Sequence, residues 1–174
     1  SIAYNEAENG GGIYILNDMV TVDFSSAYLL GNSAKNSGGN VHVQGNNVDS
    51  CKHVILKGVV AVDGRASFGA GINILSCVVA LVEAKVAGNQ AEHAGGGVRL
   101  ESADCRMVEA SINHNRAEYG GGIQLLGTVK LVIEQPLTIA NNMAGTGGGG
   151  IASDNSNFQI HALSEDVLSL QKNK

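Results

Sequence analysis

The sequence predicts an all-β chain wound as a right-handed, single-stranded parallel β-helix, a solenoid of about six coils of ~26 residues each. Three observations predict it. One motif recurs six times along 174 residues. Short apolar stretches separate the copies and leave no room for a helix of useful length. Gly is abundant, at 24 residues, while Pro occurs once and Trp not at all. That combination suits many regularly placed turns rather than collagen or a Pro-rich linker.

The motif is an Asn-x-Ala that runs into a Gly cluster. Asn5-Glu6-Ala7 leads to Gly10-Gly11-Gly12-Ile13, and Asn32-Ser33-Ala34 leads to Gly38-Gly39-Asn40-Val41. Gly64-Arg65-Ala66 leads to Gly69-Ala70-Gly71-Ile72, and Asn89-Gln90-Ala91 leads to Gly95-Gly96-Gly97-Val98. Asn115-Arg116-Ala117 leads to Gly120-Gly121-Gly122-Ile123, and Asn142-Met143-Ala144 leads to Gly147-Gly148-Gly149-Gly150-Ile151. Successive starts lie 27, 32, 25, 26 and 27 residues apart.

After each Gly cluster the residues alternate, as in Ile13-Tyr14-Ile15, Val41-His42-Val43 and Val98-Arg99-Leu100. Apolar, polar, apolar is a strand with one buried face. A second apolar stretch precedes each start, for example Val60-Ala61-Val62 and Lys85-Val86-Ala87. A third, more variable one lies between, such as Val54-Ile55-Leu56 or Lys130-Leu131-Val132. Three strands without a helix bury themselves by stacking on the next copy, in parallel and in register, at roughly 4.8 Å.

Stacking places like on like. Ala7, Ala34, Ala66, Ala91, Ala117 and Ala144 form a column that needs a small side chain inside a tight corner. Asn5, Asn32, Asn89, Asn115 and Asn142 form a second column, which hydrogen-bonds along the stack and satisfies turn backbone. Gly64 interrupts it, so the turn of that coil is expected to differ. Other repeat architectures fail. The Leu-x-x-Leu-x-Leu pattern and the Gly-Gly-x-Gly-x-Asp nonapeptide are missing, and propeller blades need ~40 residues.

The Asn-x-Ala followed by Gly-Gly-Gly-Ile, behind an apolar pair, resembles the repeats of the polymorphic outer membrane protein family. It is also similar to pectin-lyase-like β-helix repeats of large surface proteins. Residues 112–123 and 137–151 carry the resemblance best, with Leu29, Val86, Ile112 and Ile139 where that family usually has Phe. The resemblance implies an extracellular or cell-surface location and a structural or adhesive role, and it carries over no catalytic residue.

Composition bounds the alternatives. A net charge of -5 offers nothing to a phosphate backbone, so nucleic acid is set aside. The longest apolar stretch, 72–82, is interrupted by Asn73 and Ser76 and is too short for a membrane span. Cys51, Cys77 and Cys105 are too few for a disulfide scaffold. Cys77 and Cys105 sit in neighbouring coils, where a bridge between coils is one option.

Enzymes of this fold act on polysaccharides, and the alternative function is a carbohydrate-active enzyme of the pectin-lyase type. Glu83 and Glu109 lie six residues before their repeat's Asn, so they are expected about 5 Å apart on adjacent coils, near the carboxylate spacing of retaining glycosidases. The plainer reading is two solvated surface acids. Phe68, His93 and Tyr119 hold the same repeat position and predict an aromatic stripe at one corner, open to a protein or glycan partner or serving turn packing alone. Tyr14, His42, Asn73, Arg99 and Gln124 predict an outward, chemically mixed row, unlike the uniform Thr row of an ice-binding face. Glu92 and Glu118 stack beside Arg65 and Arg116 as a mixed-charge corner or a weak cation site. The histidines (His42, His53, His93, His114, His161) show no ligand spacing and read as surface residues. No cofactor and no metal is expected.

Residues 1–157 are assigned to the β-helix and 158–174 to a last coil, a cap or a docking tail with Phe158, Ile160, Leu163, Val167, Leu168 and Leu170 as its apolar positions. The chain opens in mid-coil, Ile2-Ala3-Tyr4-Asn5 matching Ile139-Ala140-Asn141-Asn142. Other β-helical segments or subunits are therefore expected to stack on the face around Ile2, Ile13 and Ile15.

Overall fold

Each coil repeats the same local problem: three strands must turn sharply and still leave every buried backbone group paired. The computed structural model describes residues 1–16, 21–49, 51, 53–134, 136–162 and 168–174. It is all-β, 65% strand, with parallel sheets stacked as a solenoid of about 6 turns spaced ~27 residues apart. Sheet A joins Ile2–Ala3, Tyr28–Leu30, Val60–Val62, Lys85–Ala87, Ser111–Asn113, Leu137–Ala140 and Leu168–Gln171. Sheet B joins Glu6–Asn9, Ser33–Ser37, Arg65–Phe68, Gln90–Ala94, Arg116–Tyr119 and Met143–Gly147. Sheet C takes the strands after the Gly clusters together with the variable ones, and its last members are Ile123–Ile133 and Ile151–Ala162.

Register follows the sequence repeat. Ile72 pairs with Val41 on one side and Val98 on the other, and Val86 with Ala61 and Ile112. Inward residues of sheets A and C therefore stack into one core that includes Leu29, Val86, Ile112, Ile74, Leu100 and Leu131. Fully burying such a side chain stabilises by about 1.5–3 kcal/mol. The alanines form the separate small column the sequence predicts. Ala34, Ala66, Ala91 and Ala117 are buried and pack with Ala70, while Ala7 in the first coil is exposed and Ala144 half-buried.

The Asn column is a hydrogen-bonded ladder, and a backbone conformation explains it. The residue before each rung is left-handed: Tyr4, Gly31, Asp63, Gly88, His114, Asn141 and Lys172 all have φ between 47° and 66°. That turn takes the following N–H out of the main-chain ladder, and the side-chain oxygen of the next coil's Asn accepts it. The Asn5 N–H donates to Asn32 Oδ1 at 3.0 Å, Asn89 to Asn115 at 3.0 Å and Asn115 to Asn142 at 2.9 Å. Each Nδ2 continues the chain, for example Asn115 Nδ2 to Asn142 Oδ1 at 3.0 Å and to the Val86 carbonyl at 3.0 Å. Asn173 accepts from Asn142 as a further rung.

The expectation of an altered turn at Gly64 is corrected. Asp63 turns as its counterparts do, and Asn40, from the Gly cluster of the preceding coil, reaches into the vacated place. Asn32 Nδ2 donates to Asn40 Oδ1 at 2.9 Å, and Asn40 Nδ2 donates to Asn89 Oδ1 at 2.9 Å and to the Val62 carbonyl at 3.1 Å. Position 64 is glycine because a Cβ there would sit 2.5 Å from Asn40 Nδ2.

The described residues of the tail continue the strand pairing. Residues 151–162 pair with 123–133, and 168–171 with 137–140. Leu163 and Val167 lie outside the described residues.

Candidate functional site

The residues with the most concentrated chemistry lie where sheet B turns into sheet C. The turn is made by the first left-handed glycine of each cluster. At Gly95 (φ 66°) a Cβ would lie 2.7 Å from the Cβ of Arg99, four residues on. So tight a reversal folds sheet B against the outer face of sheet C and leaves a concave corner. Tyr14, His42, Asn73, Arg99, Gln124 and Ala152 occupy successive rungs of it.

This corrects the expected outward row. His42 is 3% exposed, Asn73 1% and Gln124 6%, and only Tyr14 at the first coil reaches solvent freely. His42 is accordingly not a surface histidine. Buried polar groups need partners, and the row supplies them to itself. Asn73 Nδ2 lies 3.2 Å from His42 Nδ1, Arg99 Nη1 3.4 Å from Asn73 Oδ1 and Arg99 Nε 3.0 Å from Gln124 Oε1. Glu101 neutralises Arg99 at 2.5 Å, and Gln44 Oε1 receives the Tyr14 hydroxyl at 3.2 Å. Tyr14 stacks on His42 with ring centroids 5.2 Å apart. Burial is the main cause that lowers the His42 pKa; the Gln44 hydrogen bond opposes it and Arg99 adds to it.

The aromatic stripe forms in part. Phe68 and His93 meet at 5.1 Å between centroids, and the Arg99 guanidinium lies 5.1 Å over the Phe68 ring. Tyr119 does not join them and donates its hydroxyl to the Ser153 carbonyl at 2.9 Å. The reason is one extra residue in Gln90–Ala94, which pairs Ala94, not His93, with Phe68 and Tyr119. The sequence carried that signal: the glycines follow Asn89 by six residues but Asn115 by five.

Two further surfaces carry chemistry. Sheet B bears a furrow of about 710 Å³ lined by Glu6, Glu8, Lys35, Arg65, Gln90 and Glu92. Lys35 and Glu8 pair across it at 2.6 Å, which raises the Lys35 pKa. Glu118 and Arg116 line a smaller depression of about 210 Å³ with Glu92. This is the mixed-charge surface, and among the described residues no group of three or more His, Cys, Asp or Glu is placed to hold a metal ion. On the outer face of sheet C, Ile55, Val78, Ala80 and Val132 floor a depression of about 280 Å³ rimmed by Asp104 and Lys130.

Glu83 and Glu109 sit in the same turn column of adjacent coils, each left-handed with φ of 53° and 52°. Both are exposed. Glu83 faces Lys57 at 3.8 Å, and neither acid lines any of the three depressions. Arg106 pairs with Glu134 at 2.6 Å, which raises its pKa.

The cysteine pairing differs from the option read in the sequence. Cys51 is joined to Cys77, with Cα atoms 5.1 Å apart. Cys105 lies opposite Val79, two residues beyond Cys77, and is buried as a free thiol with its pKa pushed up to about 12, chiefly by burial. Cys51 belongs to the longer stretch that gives the second coil 32 residues.

Comparison with known proteins adds no relative: no protein-family model, curated protein or solved structure matches the chain.

Proposed function

We propose that this chain is a structural or adhesive segment of an extracellular or cell-surface protein or filament, a rigid rod that displays variable surface side chains. The observation that carries the reading is the division between inside and outside. The interior repeats itself in every coil, through the Asn ladder, the Ala column and the stacked aliphatic core. The exterior changes from coil to coil: Glu6, Ser33, Arg65, Gln90, Arg116 and Met143 occupy one register position of sheet B. A disulfide between consecutive coils accords with an oxidising, extracytoplasmic setting. The motif's resemblance to surface-protein repeats points the same way.

The proposed partners are other β-helical segments or subunits on the face around Ile2, Ile13 and Ile15, with a surface protein or glycan at the displayed side chains. In the first coil Ile2 and Ile13 are half-buried and Leu16 is 59% exposed. Among the described residues nothing donates to Asn5 Oδ1, although every interior rung's Oδ1 accepts from the coil before it.

Mechanical unfolding of the chain held between two handles tests the rod. A solenoid of nearest-neighbour interfaces gives up one coil at a time. About 27 residues released at roughly 3.4 Å each give steps of about 90 Å. Extension at low force without such steps would rule the rod out.

A further inference from the structure

Three features compete for a further role: the furrow on sheet B, the aliphatic depression around Ala80 and the buried polar corner. The first two are open surfaces whose occupant nothing on them specifies. The corner is different, because its hydrogen bonds force one protonation state on a buried histidine.

Arg99 has donors only, so the atom of Asn73 that faces it must be the amide oxygen. The Asn73 nitrogen then faces His42 Nδ1 at 3.2 Å. A donor there requires a lone pair on Nδ1, which places the ring proton on Nε2. Nε2 in turn lies 3.3 Å from Gln44 Oε1, the oxygen that also receives the Tyr14 hydroxyl. One neutral tautomer of His42 therefore satisfies every contact. A second proton has no place: at Nδ1 it meets the Asn73 amide donor. Turning Asn73 over merely moves the clash to Arg99.

We propose that His42 is an acid-sensitive latch that holds the first three coils together at the sheet B–sheet C corner, and that its protonation opens the corner. The groups that face it are Tyr14 from the first coil, Gln44 from its own strand, Asn73 from the third coil and Arg99 from the fourth, with Glu101 balancing Arg99. His93 is exposed and is linked to His42 only through Phe68, Arg99 and Asn73 in turn. The inference rests on the fold and not on the adhesive reading.

The sign follows from linkage. The folded His42 binds its proton less readily than the unfolded one. The stability it contributes is complete above the unfolded value of about 6.5 and is lost as pH falls from there towards the folded value.

Hydrogen exchange of the whole chain tests this, with intrinsic rates corrected for pH. Between pH 7.5 and 5.5 the protection of amides in 13–16 and 41–44 is expected to fall by up to about tenfold relative to amides in 123–125. His42→Asn keeps an acceptor on Cγ for Asn73 without a titrating ring and is expected to remove that fall. Should the variant not fold, ring ¹⁵N shifts of the parent decide: His42 neutral with its proton on Nε2 at pH 7.5, protonating only as the two strands lose protection. Equal protection at both pH values, an undiminished fall in His42→Asn, or His42 titrating near 6.5 with the strands still protected would each overturn the latch.

Discussion

At the scale of single residues, the exchange between Asn40 and Gly64 shows how tightly the interior is specified. Five coils place Asn at the rung and a small residue in the cluster before it, whereas this one reverses the assignment and keeps the ladder whole. The physical constraint is volume: one carboxamide fits at each level. Asn40→Gly alone removes one hydrogen bond each from Asn32 Nδ2, Asn89 Oδ1 and the Val62 carbonyl, which keep the Ile2 carbonyl, the Gly64 N–H and the Gly31 N–H as partners, at about 0.5–1.5 kcal/mol per lost bond. Gly64→Asn alone forces two carboxamides into one place. The double change Asn40→Gly with Gly64→Asn restores one per level, and most of the lost stability should return. A residual cost remains because the Ala70 carbonyl, a backbone group, also lies 2.5 Å from the new Cβ and must shift. Urea unfolding of all four proteins should give a coupling energy of about 1–3 kcal/mol, favourable to the pair. Additive losses would mean that the two positions do not share one site.

At the scale of elements, what the sequence made legible was whatever repeats. Strand order, parallel register, the Ala column and most Asn rungs follow from copies spaced 25 to 32 residues apart. What it hid were contacts between elements that share no repeat position. Asn40 reaches a rung from a Gly cluster, and Asn173 extends the ladder from a tail with no Gly pattern. Alternation alone made Tyr14, His42, Asn73, Arg99 and Gln124 an outward row. It says which face of a strand a side chain leaves, not whether another sheet closes over that face. The cysteines were obscured for a similar reason: the insertion at 45–53 hides the fact that Cys51 reaches Cys77, while Cys105 is two residues out of step. The bridge spans 26 residues. On the chain-entropy account a loop of that size contributes about 3–4 kcal/mol. Cys51→Ser with Cys77→Ser should lower the unfolding free energy by that order in oxidising buffer and leave it nearly unchanged in reductant. Mass spectrometry of the non-reduced protein should find Cys51 linked to Cys77 and Cys105 unmodified, and a Cys77–Cys105 link would refute the register described above.

At the scale of the whole molecule, six coils at roughly 4.8 Å span about 30 Å along the stack. So short a piece serves as a spacer only in series with others. Its polarity is fixed, since each ladder Asn after Asn5 accepts at its side-chain oxygen from the rung before it, and among the described residues nothing donates to Asn5 Oδ1, beside half-buried Ile2 and Ile13. A parallel strand edge with apolar residues behind it is a template for further pairing. If that face is covered by protein in the native setting, a charge placed there should act on assembly before it acts on folding. Ile13→Lys puts an ammonium at the end of the core, and an assembling protein should lose association while its β-sheet circular dichroism persists. The control is an exposed side chain in the middle of the stack, such as Lys85→Glu, which should leave both unchanged. Gln124 is unsuitable as a control, because it is 6% exposed and accepts from Arg99. Sedimentation over a range of concentrations measures the difference. A parent chain that remains monomeric at high concentration, with the amides of 13–16 exchanging freely, would show that this face stays open to water and would exclude its use as a joint between subunits.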